Sequence, residues 1–147
     1  MKKACWSLSL FMVFALSTVI SAGEFKVYSG AKVDQKATDE ANKISAQHKI
    51  TSTIYATKDG FDKVVTFYKG IAKEYKMPGQ ERQARKLPSG QELKEAYFIF
   101  DGANDLLSSK LWIKVQRPYI GRVKMEGLTP KFEDIRDLTS ISISERK

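Results

Sequence analysis

Hydrophobic and polar residues alternate cleanly at three places in this chain. From Ile50 to Ala56, the residues Ile50, Ile54 and Ala56 fall on one side, and Thr51, Thr53 and Tyr55 on the other. From Lys110 to Gln116, Leu111, Ile113 and Val115 oppose Lys110, Trp112, Lys114 and Gln116. Near the end, Ile141 and Ile143 oppose Ser140, Ser142 and Ser144. A period of two predicts half-buried strands. Glu92 to Phe100 reads as a further strand, and its continuous apolar run from Tyr97 to Phe100 predicts cover on both faces.

One stretch changes to the helical period. Phe61, Val64, Val65, Tyr68, Ile71, Ala72 and Tyr75 are spaced by threes and fours and share one face. This predicts a helix from Phe61 to Tyr75, with Asp59 as its N-cap and Asp62 against the positive end of its dipole. Pro78-Gly79 ends it. Glu24 to Tyr28 reads as a short strand or extended arm. Asp34 to Lys49 reads as a surface helix or connection, because Ala37, Ala41, Ile44 and Ala46 give it only a thin apolar face. Met77 to Gly90 and Glu126 to Pro130 read as loops. Tyr119 to Met125 is placed beside the strand that Pro118 ends.

The expected fold is therefore α+β: an antiparallel sheet of four to five strands, with one main amphipathic helix packed on one face. The buried face would carry Ile54, Leu111, Ile113, Val115, Ile141 and Ile143. Residues 24–147 would form a single domain, with residues 24–48 as a peripheral arm or helix.

The first 23 residues read differently. Lys2 and Lys3 precede a short apolar run from Leu8 to Leu16, and Ser21 and Gly23 supply small residues for cleavage before Glu24. This is the pattern of a secretory signal peptide over residues 1–23 and predicts a periplasmic or secreted protein. The one cysteine, Cys5, lies in that leader, so the mature chain would hold no disulfide, thiol nucleophile or thiolate metal site. Net charge is +8, and removing Lys2 and Lys3 leaves +6. Such a charge suits contact with an anionic envelope component or another envelope protein, or simply solubility. Nucleic acid fits the charge but not the export, so no nucleic-acid partner is expected.

Three short motifs carry a resemblance. Tyr28-Ser29-Gly30-Ala31, Thr57-Lys58-Asp59-Gly60 and Val64-Val65-Thr66-Phe67-Tyr68-Lys69 resemble a loose group of uncharacterised small exported bacterial proteins. That group has a Tyr-Pro-Gly-Ala turn, then Thr-x-Asp-Ser and a Val-x-x-Phe-Tyr-Lys helix. Here Ser29 stands for the proline and Gly60 for the serine. The resemblance spans about the first half of the mature chain. It implies an exported α+β domain and brings no activity with it.

Candidate chemistry is sparse. His48 is the sole histidine, which argues against a transition-metal site and against a serine–histidine–acid triad. No Gly-x-Ser-x-Gly turn presents a serine. Asp101, Asn104 and Asp105 lack the spacing of a twelve-residue calcium loop, and a turn with side-chain-to-backbone bonds explains them better. No cofactor and no metal site is expected. The suggestive set is Trp112 between Lys110 and Lys114, with Tyr55 also directed away from the helix. An aromatic among cations on an open sheet could stack a flat ligand or sugar, serve a dimer interface, or lie beneath the basic loop of Arg82, Arg85 and Lys86. The leading expectation is a non-catalytic exported binding or accessory module. The alternatives are a structural homo-oligomer using the same sheet face, or an enzyme of a type the residues do not reveal.

Overall fold

A computed structural model describes residues 25–79 and 85–147 of the chain. Strands and helices follow in the order β1 (Lys32–Val33), α1 (Gln35–Ser45), β2 (Ile50–Thr57), α2 (Phe61–Lys69), β3 (Lys73–Tyr75), β4 (Arg85–Lys86), β5 (Glu92–Ile99), β6 (Leu111–Arg117), β7 (Tyr119–Glu126), β8 (Thr129–Arg136) and β9 (Thr139–Arg146). The fold is α+β and its pairings are antiparallel. The main sheet runs β1-β2-β9-β6-β5-β3, with β4 also paired to β5, and so has seven strands rather than four or five. β7 and β8 form a separate two-stranded hairpin. The expected leader, and Arg82 of the basic loop, lie outside the described residues.

The core forms where the helical stripe meets the sheet. Val64, Val65 and Tyr68 of α2 are buried with Phe98, Ile113, Val115, Ile141 and Ile143. Each large aliphatic so removed from water contributes about 1.5–3 kcal/mol. The expected stripe is shorter than its spacing suggested. α2 stops at Lys69, Ile71 and Ala72 pack on the core from the turn that follows, and Lys73–Tyr75 pair with β5 as a strand. Gly60, not Asp59, is the N-cap, although Asp62 does lie in the first turn.

Register corrects one face of the sheet. Tyr55 lies opposite Ile141 and Thr53 opposite Ile143, and directly paired residues share a face. Tyr55 therefore points toward α2 and packs on the core. Ile54 pairs with Ser142, and Ser142 with Lys114, so Ile54 is on the other face. Apolar character alone assigned Ile54 inward; the aromatic ring of Tyr55 fills that space instead.

The three motif segments meet in space. The Tyr28 hydroxyl donates to Asp59 at 2.6 Å, and the Tyr28 amide donates to the Tyr68 hydroxyl at 3.1 Å. The rings of Tyr28 and Phe67 meet edge to face. Gly30, at φ +88, allows the turn that closes with the Ala31 amide bonded to the Tyr28 carbonyl. The pattern Tyr-turn, Thr-x-Asp, Phe-Tyr is thus a packing and hydrogen-bonding unit.

α1 docks by a different chemistry. Asp34, Thr38, Asn42 and Ser45 recur at steps of four, four and three and lie on one helical face. That face runs along the outer border of β2. Ser45 donates to the Ile50 carbonyl, Asn42 both donates to and accepts from the Ser52 backbone, and the Thr38 hydroxyl accepts from the Ile54 amide. The Asp34 amide donates to the Ile54 carbonyl. β1 covers this border only at Tyr55 and Ala56; along Ile50 to Ile54 the polar side chains of α1 take the place of a neighbouring strand. This explains the thin apolar face: the docking face is the polar one.

Candidate functional site

The residues singled out from sequence do not come together. Tyr55 is on the core side and Trp112 on the opposite face, so they share no surface. Trp112 is half-buried, with the Arg146 guanidinium 5.2 Å from its ring centre. Arg146 also donates to the carbonyls of Leu106 and Leu107. Lys114 is not a free cation: its ammonium lies 2.6 Å from Glu95, a carboxylate that Arg85 also contacts at 2.5 Å. The Glu95 side chain is almost wholly covered. Lys110 is exposed, and its amide donates to Asp101. Lys86 is exposed on β4. In the acidic turn, Asp101 accepts from Ala103 and Ser109, and Asp105 from the Ser108 amide and hydroxyl. Among the described residues no group of three or more His, Cys, Asp or Glu side chains is placed to hold a metal.

A different region has the properties of a contact surface. β6 and β9, paired side by side in the sheet, run on as β7 and β8 past the sheet's end. Gln116 faces Ser140, and the next pair is Tyr119 with Arg136. Three residues advance on one side and four on the other, so the pairing register shifts by one residue between β6–β9 and β7–β8. The hairpin closes at Gly127-Leu128, where Gly127 takes φ +64 while Leu128 does not take positive φ. That is the signature of a type II′ turn.

The base of this arm is fastened to α1. Tyr119, about 1% exposed, donates its hydroxyl to Asp34 at 2.8 Å, and Arg136 donates to the same oxygen at 3.0 Å. The guanidinium lies 4.0 Å from the centre of the Tyr119 ring. Arg122 adds a bond to Glu40 of α1 at 3.2 Å. Asp134, at φ +54, folds its carboxylate over Gly121 and reaches Arg136 at 3.3 Å. A β-carbon on Gly121 would meet that carboxylate oxygen at 2.1 Å, so any other residue here would require the Asp134 side chain to shift.

These groups border a cleft of about 250 Å³ beside Lys36 and Glu133. Asp34, Glu40, Arg122, Glu133, Asp134 and Arg136 are engaged in ion pairs. The Ala37 amide, with the Tyr119 hydroxyl and Arg136, holds the Asp34 carboxyl below the usual carboxylate range. Burial, reinforced by Asp34, pushes the Tyr119 phenol up. Both shifts move away from neutrality, the opposite of what a proton-transfer pair working near pH 7 needs.

Beyond the base, the arm is amphipathic and much of its apolar face is exposed, although Phe132 is half-buried. Val123 pairs with Phe132 and Met125 with Pro130. Val123 is 53% exposed, Met125 63% and Leu128, at the tip, 98%. On the other face, Lys124 lies 2.9 Å from Glu133 and Lys131 lies 3.0 Å from Glu126. A two-stranded hairpin alone is marginally stable in water. The signal available in sequence was the second run of alternation, Tyr119-x-x-x-Val123-x-Met125 and Phe132, interrupted by Gly127. No family model, no curated protein and no solved structure matches this chain.

Proposed function

We propose that this chain is a non-catalytic binding module, exported to a cell envelope by its leader, that engages a protein partner through the distal half of the β7–β8 arm. One observation carries the reading. Val123, Met125 and Leu128 stand in water on an arm whose base is bolted to α1. Exposed apolar area grouped on one projecting element marks an interaction surface, whereas scattered exposed residues do not. The neutral state of the opposite face favours a protein over an anionic membrane. Lys124 and Lys131 already hold Glu133 and Glu126, and those carboxylates would be carried toward lipid phosphate.

At the arm's base the Asp34 and Tyr119 shifts are both directed away from neutral pH, which ill suits that one cleft to proton transfer. The test is a photo-cross-linking amino acid at Leu128 in whole cells, compared with one at Gln47, an exposed position in the turn after α1. A discrete adduct from Leu128 alone is the expected result. Equal labelling at both positions, or none at either, would remove the arm as the contact surface.

A further inference from the structure

We infer that a second copy of this chain pairs with the outer border of β7, joining two arms into one four-stranded antiparallel sheet about a two-fold axis near Met125. The inference rests on reading the arm as a contact surface and adds which molecule first occupies its border.

The two borders of the arm differ. On β8, Pro130 has no N–H to offer, and Asp134 departs from extended backbone with φ +54. Both features block strand addition. On β7, the stretch from Arg122 to Glu126 has no proline, no glycine and no positive φ. A two-residue turn closes with a bond between its flanking residues, Glu126 and Thr129. Glu126, Lys124 and Arg122 therefore direct their backbone groups to β8, and Val123 and Met125 direct theirs outward. Those outward groups form a template for another strand.

Charge selects the occupant. In antiparallel pairing about Met125, Lys124 falls opposite the Glu126 of the other copy, and Glu126 opposite its Lys124. Opposite charges at directly facing positions favour a pairing, and like charges disfavour it. The border is thus complementary to itself. Pairing also brings Val123, Met125, Pro130 and Phe132 of both copies onto one continuous apolar strip. A third and fourth strand supply what a lone hairpin lacks. Only Lys124, Met125 and Glu126 of each copy face strand residues of the other, with Val123 falling opposite Gly127 of the turn; the interface is smaller than the standard size, so the dimer should be weak, with a dissociation constant of about 10–100 μM.

Sedimentation equilibrium of the wild-type chain across that range should show the mass rising toward twice the monomer. Val123→Pro deletes an outward N–H while leaving the bonds to β8, and should return the chain to monomer. Met125→Cys, made with Cys5→Ser, should oxidise to a disulfide dimer far faster than Gln47→Cys in the same background. A wild-type chain still monomeric at about ten times the expected constant would overturn the proposal. So would a dimer that survives Val123→Pro, or a Met125→Cys chain that cross-links no faster than the control. Flotation of the monomer on phosphatidylglycerol vesicles, lost in Leu128→Asp, would give the arm to a membrane and overturn it equally. A Leu128 adduct with a different protein, formed by a strictly monomeric chain, would defeat the dimer while leaving the binding module intact.

Discussion

Ile113 facing Ile143 and Val123 facing Phe132 are the same kind of structure: apolar side chains paired across antiparallel strands. The first pair lies on β6 and β9, the second on their continuations β7 and β8. Ile113 is wholly buried and Ile143 nearly so, while Val123 is more than half exposed. Alternation thus specifies that a segment is a strand with one apolar side. It does not specify what covers that side. In the body the cover is α2; in the arm Val123 and Met125 stay largely exposed among the described residues.

Substitutions should separate the two regions sharply. Ile113→Asp places an unpaired charge in the core, and the loss should be at least about 4 kcal/mol, enough to unfold a domain of this size. Circular dichroism and thermal melting would show it; a normal melting temperature would dismantle the assigned core.

Alkaline titration tests body and arm base together. Burial pushes Tyr68 and Tyr97 up to about 12, and Tyr119 is raised as well. The folded chain holds these protons more tightly than the unfolded chain, whose tyrosines ionise near pH ~10. Stability from this source is complete below about 10 and declines as pH rises through about 12. Urea unfolding at pH 8 and pH 11 should differ, and by less in Tyr97→Phe. Equal stability at the two values would contradict the buried placement of these rings.

Tyr119→Phe removes one hydrogen bond and leaves Asp34 with Arg136, so it should cost about 1 kcal/mol. Its distinguishing mark is local: amide exchange in β7 and β8 should quicken while β5 and β6 are unchanged. Met125→Asp should be the mildest, within about 0.5 kcal/mol of wild type. A large loss there would mean that the arm's apolar face is covered within the chain itself.

Much of the body was legible from residues alone. Leu111, Ile113, Val115, Ile141 and Ile143 alternate as assigned, and the buried part of the helical stripe is Val64, Val65 and Tyr68. Ile54 and Tyr55 exchanged faces because strand register is set by neighbours far along the chain, and a tyrosine can lie against a core as readily as an isoleucine. α2 ended early because Lys73–Tyr75 gained a pairing with β5, a non-local event that helical periodicity cannot report. α1 looked marginal because its docking residues are Thr38, Asn42 and Ser45, which an apolar search discards. The arm was hidden by the unequal advance between Gln116–Tyr119 and Arg136–Ser140. Val123 and Met125 continue the odd-numbered pattern of Ile113 and Val115, yet stay exposed.

The polar ladder from α1 to β2 has a bearing on misassembly. While Thr38, Asn42 and Ser45 remain seated, the Ile50 carbonyl, both Ser52 backbone groups and the Ile54 amide of β2 are bonded to the helix and closed to a passing chain. Heat or denaturant that lifts this helix uncovers the amide of Ser52 and the carbonyls of Ile50 and Ile54 together, in line and evenly spaced. Clumping of stressed protein would then begin at that seam, governed by the detachment of one short helix and not by collapse of the interior.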